Sequence, residues 1–351
     1  MTSTSNTGAR KITGYASTGK GAELKKWAYD APALGLDDVE IAVSHCGICH
    51  SDLHTLDSGW GPTKYPVIVG HEIVGTVSAV GSSVTHLKIG DRVGVGAQCG
   101  ACGRCRSCLH GKDNLCDHTV FTYNAKHPSG RAAYGGYAEA VRLPANYAFL
   151  LPENLPSDVA APLLCAGATV YAPLKRHMRA GARVGVVGVG GLGHLAIQFA
   201  RALGARTVVG LSQSGRKAAD AEALGATDFA ILDSPAAFAK HAGSLDLIVC
   251  TVSSHELAWS EYIKLLDVQG KFVVVGLPEE PIKLDLGVLI GGERSLVGSL
   301  IGSRAEIEDM LELAAEKKVF PWIEKVPIAE VNGAIERLRR GDVKYRFVLE
   351  N

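Results

Sequence analysis

RVGVVGVGGLGHLAIQFARALG, residues 183–204, changes its periodicity partway along. Arg183–Val187 is a short apolar, β-branched run that reads as a buried strand, and from His194 onward the apolar spacing becomes that of a helix. Between them lies GVGGLG, in which Gly188, Gly190 and Gly193 match G-x-G-x-x-G. Three glycines alone say little. At a strand-to-helix turn, however, bare backbone lets a pyrophosphate settle on the free N–H groups that open the helix. Gly188, Gly190, Gly191, Leu192 and Gly193 are therefore the expected cofactor contacts, with a ligand-free glycine turn as the alternative.

The alternation continues outward. TVVGLS reads as a strand, RKAADAEALGA as a helix, and LDLIVCTV and KFVVVGL as strands with a helical stretch between them, which predicts a parallel sheet covered on both faces. A cofactor with a free ribose 2′-OH calls for an acid near the end of the second strand, about 20 residues past the glycines. Ser212 stands there instead, and no Asp or Glu occurs between Arg206 and Ala219. Ser212, Ser214, Arg216 and Lys217 offer hydroxyls and positive charge to a 2′-phosphate, so NADP(H) is expected over NAD(H). The competing reading is a helix-capping serine beside solvated basic residues.

The 351 residues exceed the roughly 250–300 at which single cores stop growing, so two domains are expected. Residues 11–160 carry short apolar runs (VEIAVS, YPVIVG, EIVGTVSAVG) punctuated by Gly, Pro and Asp, the pattern of a β-rich domain with functional loops. YPVIV reads as a strand ending at His71 and Glu72. Near the C-terminus AEIEDMLELAAEKK and AEVNGAIERLRRGD read as helices, and YRFVLE as a strand returning to the first domain. The expected division is 1–160, 161–302 and 303–351, the last segment rejoining the first.

Lys+Arg and Asp+Glu number 36 each, which leaves no basic excess for nucleic acid or an anionic membrane and favours a small neutral partner. MTSTSNTGAR lacks the apolar core of a secretion signal, so a cytoplasmic protein is expected. The uncharged run from Val184 is too short and too rich in glycine to span a membrane. Nine cysteines clustered in a large chain suit metal binding in a reducing compartment better than disulfides.

CGRCRSCLHGKDNLC places Cys102, Cys105, Cys108 and Cys116 at CxxCxxCx7C, four thiolates able to close a tetrahedral structural zinc site with no open position. Cys99 is read as a bystander. A DNA-binding zinc ribbon would need a basic surround that is absent here. HCGICHSDLH, residues 45–54, holds three histidines and two cysteines, and by itself leaves open which of them bind metal. His71 and Glu72 in GHE and the isolated Cys165 in APLLCAG extend the candidates, although an isolated cysteine, like Cys250 in LDLIVC, is more often a core residue.

In order, GICHSDLH, YPVIVGHEIVG, GDRVGVG, the four-cysteine loop, GGYAE, APLLCAGATVY, GVGGLGH and GDVKYRFV make the chain from about residue 11 to Asn351 resemble the zinc-dependent alcohol dehydrogenases of the medium-chain dehydrogenase/reductase superfamily. The branch resembled is the cinnamyl alcohol dehydrogenase-like, NADP-dependent one. The resemblance implies a GroES-like β-rich catalytic domain joined to a doubly wound parallel-sheet (Rossmann) domain, with one catalytic and one structural zinc per subunit. It selects Cys49, His71 and Cys165 as catalytic ligands, leaves Cys46 without metal, and makes Glu72 a further ligand when substrate and water are absent. It gives Ser51 the role of proton-passing hydroxyl and His54 that of relay histidine, sets Asp52 to orient His71, and places His50 near the cofactor pyrophosphate.

The activity implied is reversible hydride transfer between NADPH and an aldehyde. Trp60, at a channel position, and Ala97, where ethanol-preferring yeast relatives carry a large aromatic, imply room for medium-chain or aromatic substrates. A homodimer through the sheet edge around residues 285–302 is also implied. The alternatives, a zinc-free quinone-reductase-like enzyme or a nucleotide-binding protein without turnover, sit poorly with a complete ligand set and an intact Ser51/His54 pair.

Overall fold

The computed structural model describes residues 8–31 and 33–351, so most of the polar N-terminal stretch lies outside the described residues. Two compact units result. The first runs to Cys165 and adds Ser303–Ala315 and Phe320–Asn351; the second comprises Ala166–Gly302 and Glu316–Val319.

The first unit is organised by one long strand, Asp38–Ile48, whose alternating apolar residues Val39, Ile41 and Val43 join a buried core with Val69, Ile73, Tyr137 and Phe347. One part of it pairs antiparallel with Ala140–Pro144 and its C-terminal part with Arg346–Glu350, while its other partner is Ile73–Val80. Register shifts at Glu40/Ile41 and Val43/His45 interrupt its pairing with Ile73–Val80, as bulges do. The C-terminal strand thus lies beside the one that delivers Cys49, with Phe347 opposite Ile48.

One local expectation fails here. YPVIV is not a regular strand: Val67 makes an isolated bridge to Ser17, and the Ile68 and Val69 carbonyls accept N–H groups from Gly135 and Tyr137 at 2.8 and 3.0 Å. Pro66 has no N–H for a ladder, and Gly70, at φ 101°, turns the chain. His71 and Glu72 therefore precede the strand Ile73–Val80 rather than end one.

The helical stretch after Cys165 is present from Ala168 to His177, but Cys165 itself is not in an α-helix. It sits inside a π-helical turn, Leu163–Gly167, between the α-helices Ser157–Pro162 and Ala168–His177. Leu164 fills the space over Gly94, where a Cβ would stand 2.7 Å from its side chain, and this packing ties the first half of the turn to the first unit. The division consequently falls after Cys165, not after residue 160. The helix Arg304–Lys317 outruns its buried stripe of Ile307, Met310, Leu311 and Ala314, and residues 316–319 group with the second unit, so 303–351 is not a single return segment.

The second unit holds a six-stranded parallel sheet in the order Asp228–Ile231, Thr207–Ser212, Arg183–Val187, Leu245–Cys250, Leu266–Val274, Ser295–Gly298. Its first strand in sequence lies inside, and the winding reverses beside it, which opens a crevice at the carboxyl end of Arg183–Val187. Val184, Val186, Leu247, Ile248 and Val249 are all buried, as expected when helices cover both faces. Cys250 is a buried core residue. Ser295–Gly298 forms one edge.

Candidate active site and cofactor cradle

Cys49 is the N-cap of the helix His50–Leu56, and Asp52 in its first turn is fully buried. Asp52 Oδ2 accepts the Cys49 N–H at 2.9 Å and the Tyr137 hydroxyl at 3.1 Å; Oδ1 accepts the Gly70 N–H at 3.1 Å and His71 Nδ1 at 3.2 Å. Four donors saturate the carboxylate and offset the cost of burying its charge. With the Nδ1 proton committed to Asp52, His71 Nε2 presents its lone pair, 3.0 Å from Cys165 Sγ.

Cys49 Sγ lies 4.0 Å from Cys165 Sγ, and one donor atom from each of Cys49, His71, Glu72 and Cys165 falls within 4.8 Å of the others. Zinc at about 2.3 Å from sulfur and about 2.0–2.1 Å from nitrogen sets tetrahedral ligand separations of roughly 3.3–3.8 Å. The observed 3.0 and 4.0 Å straddle that range. Hydrogen bonding from Cys165 holds the Cys49 thiol well below its ordinary range, against the opposing effect of burial; the same bond, together with burial, pushes Cys165 up. Two buried sulfurs that favour a single shared proton beside an imidazole lone pair form a donor set suited to a divalent cation.

Glu72 is entirely buried, and burial raises its carboxyl to about 7 although Arg346 opposes the shift. One oxygen is paired with the buried Arg346, and Oε2 has no protein partner. That orphaned oxygen fits a part-time metal donor. Gly47 makes room for it, since a Cβ there would stand 1.9 Å from Oε2. Arg346 and Tyr137 were not singled out from the sequence; the available signal was an arginine inside the apolar run YRFVLE.

Ser51 Oγ lies 3.5 Å from Cys49 Sγ. His50 is exposed at the first position of the helix, and His54 follows Ser51 by about one turn. Trp60 stacks on His54. Cys46 is buried outside the donor group, its thiol turned to the Gly47 carbonyl at 3.6 Å.

Cys102, Cys105, Cys108 and Cys116 form the second donor group. Cys116 Sγ lies 3.5 Å from that of Cys102 and 3.8 Å from that of Cys105. The Cys105 N–H points at Cys102 Sγ at 3.3 Å, while those of Cys102 and His118 point at Cys116 Sγ at 3.4 and 3.3 Å. Backbone N–H groups of Arg104 and Cys105 bring the Cys102 thiol down to about 6, which favours a thiolate. The short helix Arg106–Leu109 buries no side chain, so a metal cross-link would substitute for a core. Cys99 stands apart, donating to the Phe121 carbonyl at 3.4 Å, with burial pushing its thiol up to about 12.

In the second unit, Gly188 takes φ 84°, and a Cβ on Gly193 would stand 1.8 Å from the Gly188 carbonyl oxygen, so both positions require glycine. Gly190 faces open space. His194, also missed in the sequence, is buried and donates from Nδ1 to the Gly190 carbonyl at 3.0 Å, bracing the turn that includes Gly191 and Leu192. Past the next strand, the Ser214 N–H meets Ser212 Oγ and Arg216 Nε meets Ser214 Oγ, each at 3.4 Å. Lys217 is offset by Asp220 at 3.8 Å, an acid just beyond the stretch in which none was found.

Residues 35–153 match the alcohol dehydrogenase GroES-like domain, and residues 191–316 the zinc-binding dehydrogenase family. The chain is 43% identical to cinnamyl alcohol dehydrogenase 2 of Rauvolfia serpentina, covering 97% of this chain and 95% of that one. It is 44% identical to NADP-dependent alcohol dehydrogenase C 1 of Mycolicibacterium smegmatis, covering 97% of each. Among solved structures, the Sorghum bicolor cinnamyl alcohol dehydrogenase SbCAD4 superposes with a TM-score of 0.93 at 40% identity, over 97% of this chain and 98% of that one. Fold, donor sets and matches together define a zinc-binding dehydrogenase. Within that class, the chain belongs to the cinnamyl alcohol dehydrogenase-like alcohol dehydrogenases of the medium-chain superfamily.

Proposed function

We propose that this chain reversibly reduces medium-chain or aromatic aldehydes to primary alcohols with NADPH, as a cytoplasmic homodimer binding two zinc ions per subunit. The observation that carries this reading is the convergence of Cys49, His71 and Cys165 with Ser51 Oγ only 3.5 Å from the Cys49 sulfur. Cys49, His71 and Cys165 would hold the catalytic ion, with Glu72 as an intermittent fourth donor; Cys102, Cys105, Cys108 and Cys116 would hold the structural one. The catalytic ion supplies a Lewis acid and NADPH the hydride.

The remaining work falls to side chains of this protein. Asp52 keeps His71 in the liganding tautomer. Ser51 passes a proton to the substrate oxygen as the carbonyl is reduced, and His54 is the relay histidine through which that proton is replaced from solvent. The turn Gly188–Gly193 receives the pyrophosphate, with His50 as a basic neighbour. Ser212, Ser214, Arg216 and Lys217 take the 2′-phosphate, a reading supported by the missing acid and by a relative named for NADP dependence. Ala97, a small residue at the position where the resemblance puts a large aromatic in ethanol-preferring relatives, supports the larger aldehydes. Nine free cysteines suit a reducing compartment, and no helix among the described residues is long and apolar enough to cross a membrane.

Initial rates of benzaldehyde reduction with NADPH and NADH, before and after zinc chelation, test this. Chelator-sensitive turnover that prefers NADPH is expected. A preference for NADH would overturn the cofactor assignment alone, and full activity without zinc would overturn the mechanism.

A further inference from the structure

The helix His50–Leu56 ends in a way that bears on His54. Ser58 takes the left-handed φ of 52°, its N–H donates to the Thr55 carbonyl at 3.1 Å, and the Gly59 N–H donates to the His54 carbonyl at 2.7 Å. This pair of bonds is the Schellman arrangement, in which the chain folds back over the last turn of its own helix. Glycine is the residue that adopts such a φ without cost, yet serine occupies the place. Its hydroxyl meets Tyr65 Oη at 3.2 Å, and Tyr65 Oη donates to the Leu56 carbonyl at 2.9 Å. Thr63 Oγ1 donates to the Thr55 carbonyl at 2.6 Å. The returning loop is thus bonded to the helix end on both sides of Trp60.

The outcome is a face-to-face ring pair. The Trp60 indole lies on the His54 imidazole with centroids 4.2 Å apart and planes 15° from parallel, although Trp60 remains 47% exposed. A half-exposed tryptophan held this way is not explained by core packing. We propose that Trp60 is a positioning residue for His54, fixing the plane and rotamer of the imidazole so that its nitrogen edges stay aligned for proton transfer. The backbone motif holds the His54 carbonyl and the indole holds its ring, so one loop constrains the residue at both ends. This inference rests on the relay role given to His54, and it differs from a substrate-lining role for Trp60, which would act through KM and substrate size.

The test is a double-mutant cycle with Trp60→Ala, Trp60→Phe and His54→Gln on zinc-loaded enzyme, assayed with acetaldehyde and benzaldehyde. An aromatic stack sustains about a two- to twelvefold population bias. Trp60→Ala should lower kcat by about that factor for both aldehydes, Trp60→Phe should restore most of it, and Trp60→Ala should add nothing in the His54→Gln background. Independently of turnover, the His54 ring protons, identified as the NMR signals lost in His54→Gln, should lie upfield from the indole ring current and move downfield in Trp60→Ala. If His54→Gln impairs kcat but Trp60→Ala is fully additive, or changes KM for benzaldehyde only, the inference falls and the relay stands. If His54→Gln leaves kcat unchanged, the relay reading falls and takes the inference with it. An unshifted His54 signal in the wild type would show that the rings do not stack in solution, which also overturns the proposal.

Discussion

Asp52 is the residue on which the geometry of the first donor set turns. It joins the cap of one helix, the turn at Gly70, a buried tyrosine and the His71 imidazole through four hydrogen bonds. Asp52→Asn keeps the shape but puts an amide where acceptors are needed, and zinc affinity should fall about 10–100-fold. Competition with a chromophoric chelator would read this, and unchanged affinity would show that His71 needs no such partner. Arg216 poses a separate question. Its guanidinium is exposed and meets a serine hydroxyl rather than a carboxylate in the bonds described above. Arg216→Ala should raise the Kd for NADPH by about tenfold or more, from the loss of one charge-assisted contact, and leave that for NADH nearly unchanged. Equal effects on both cofactors, measured by nicotinamide fluorescence, would remove Arg216 from the 2′-phosphate site. Asp52 could be matched to its role from the sequence by resemblance alone, because its partners Gly70 and Tyr137 lie 18 and 85 positions away.

At the scale of elements, the strand–turn–helix at 183–202 was readable because its signals are local: a β-branched run, glycines where φ or crowding demands them, then helical spacing. Gly193→Ala would press a Cβ into the Gly188 carbonyl, so the turn must open. NADPH binding should be lost while both zinc ions are retained, which calorimetry and metal analysis on one preparation would show; intact NADPH binding would mean that the turn is not the cradle. The four-cysteine loop was readable for the same reason, since its cysteines lie within 15 residues of sequence, Cys102 to Cys116. The π turn at Leu163–Gly167 was not. Nothing in APLLCAG announces an extra residue per turn, because the turn is set by Leu164 filling the space that Gly94 leaves in another element.

For the whole molecule, the edge strand Ser295–Gly298 and the exposed Leu286, Ile290, Leu296 and Leu300 leave backbone donors and apolar side chains together at one side of the parallel sheet. If a second copy pairs there, Leu296→Lys should shift the protein toward its 36.9 kDa monomer in sedimentation velocity. A wild-type monomer would refute the dimer outright. The sequence by itself determined the two-part organisation, the parallel αβ alternation, the glycine turn and the four-cysteine loop, because each rests on periodicity or on ligands a few residues apart. Tertiary structure alone decided that Arg346 pairs with Glu72 across 274 positions, that Cys165 reaches His71 from a π turn, and that Trp60 closes over His54. Those contacts are made by packing between segments far apart in the chain or by a loop folding back on its helix, and neither process leaves a repeat for a sequence to display.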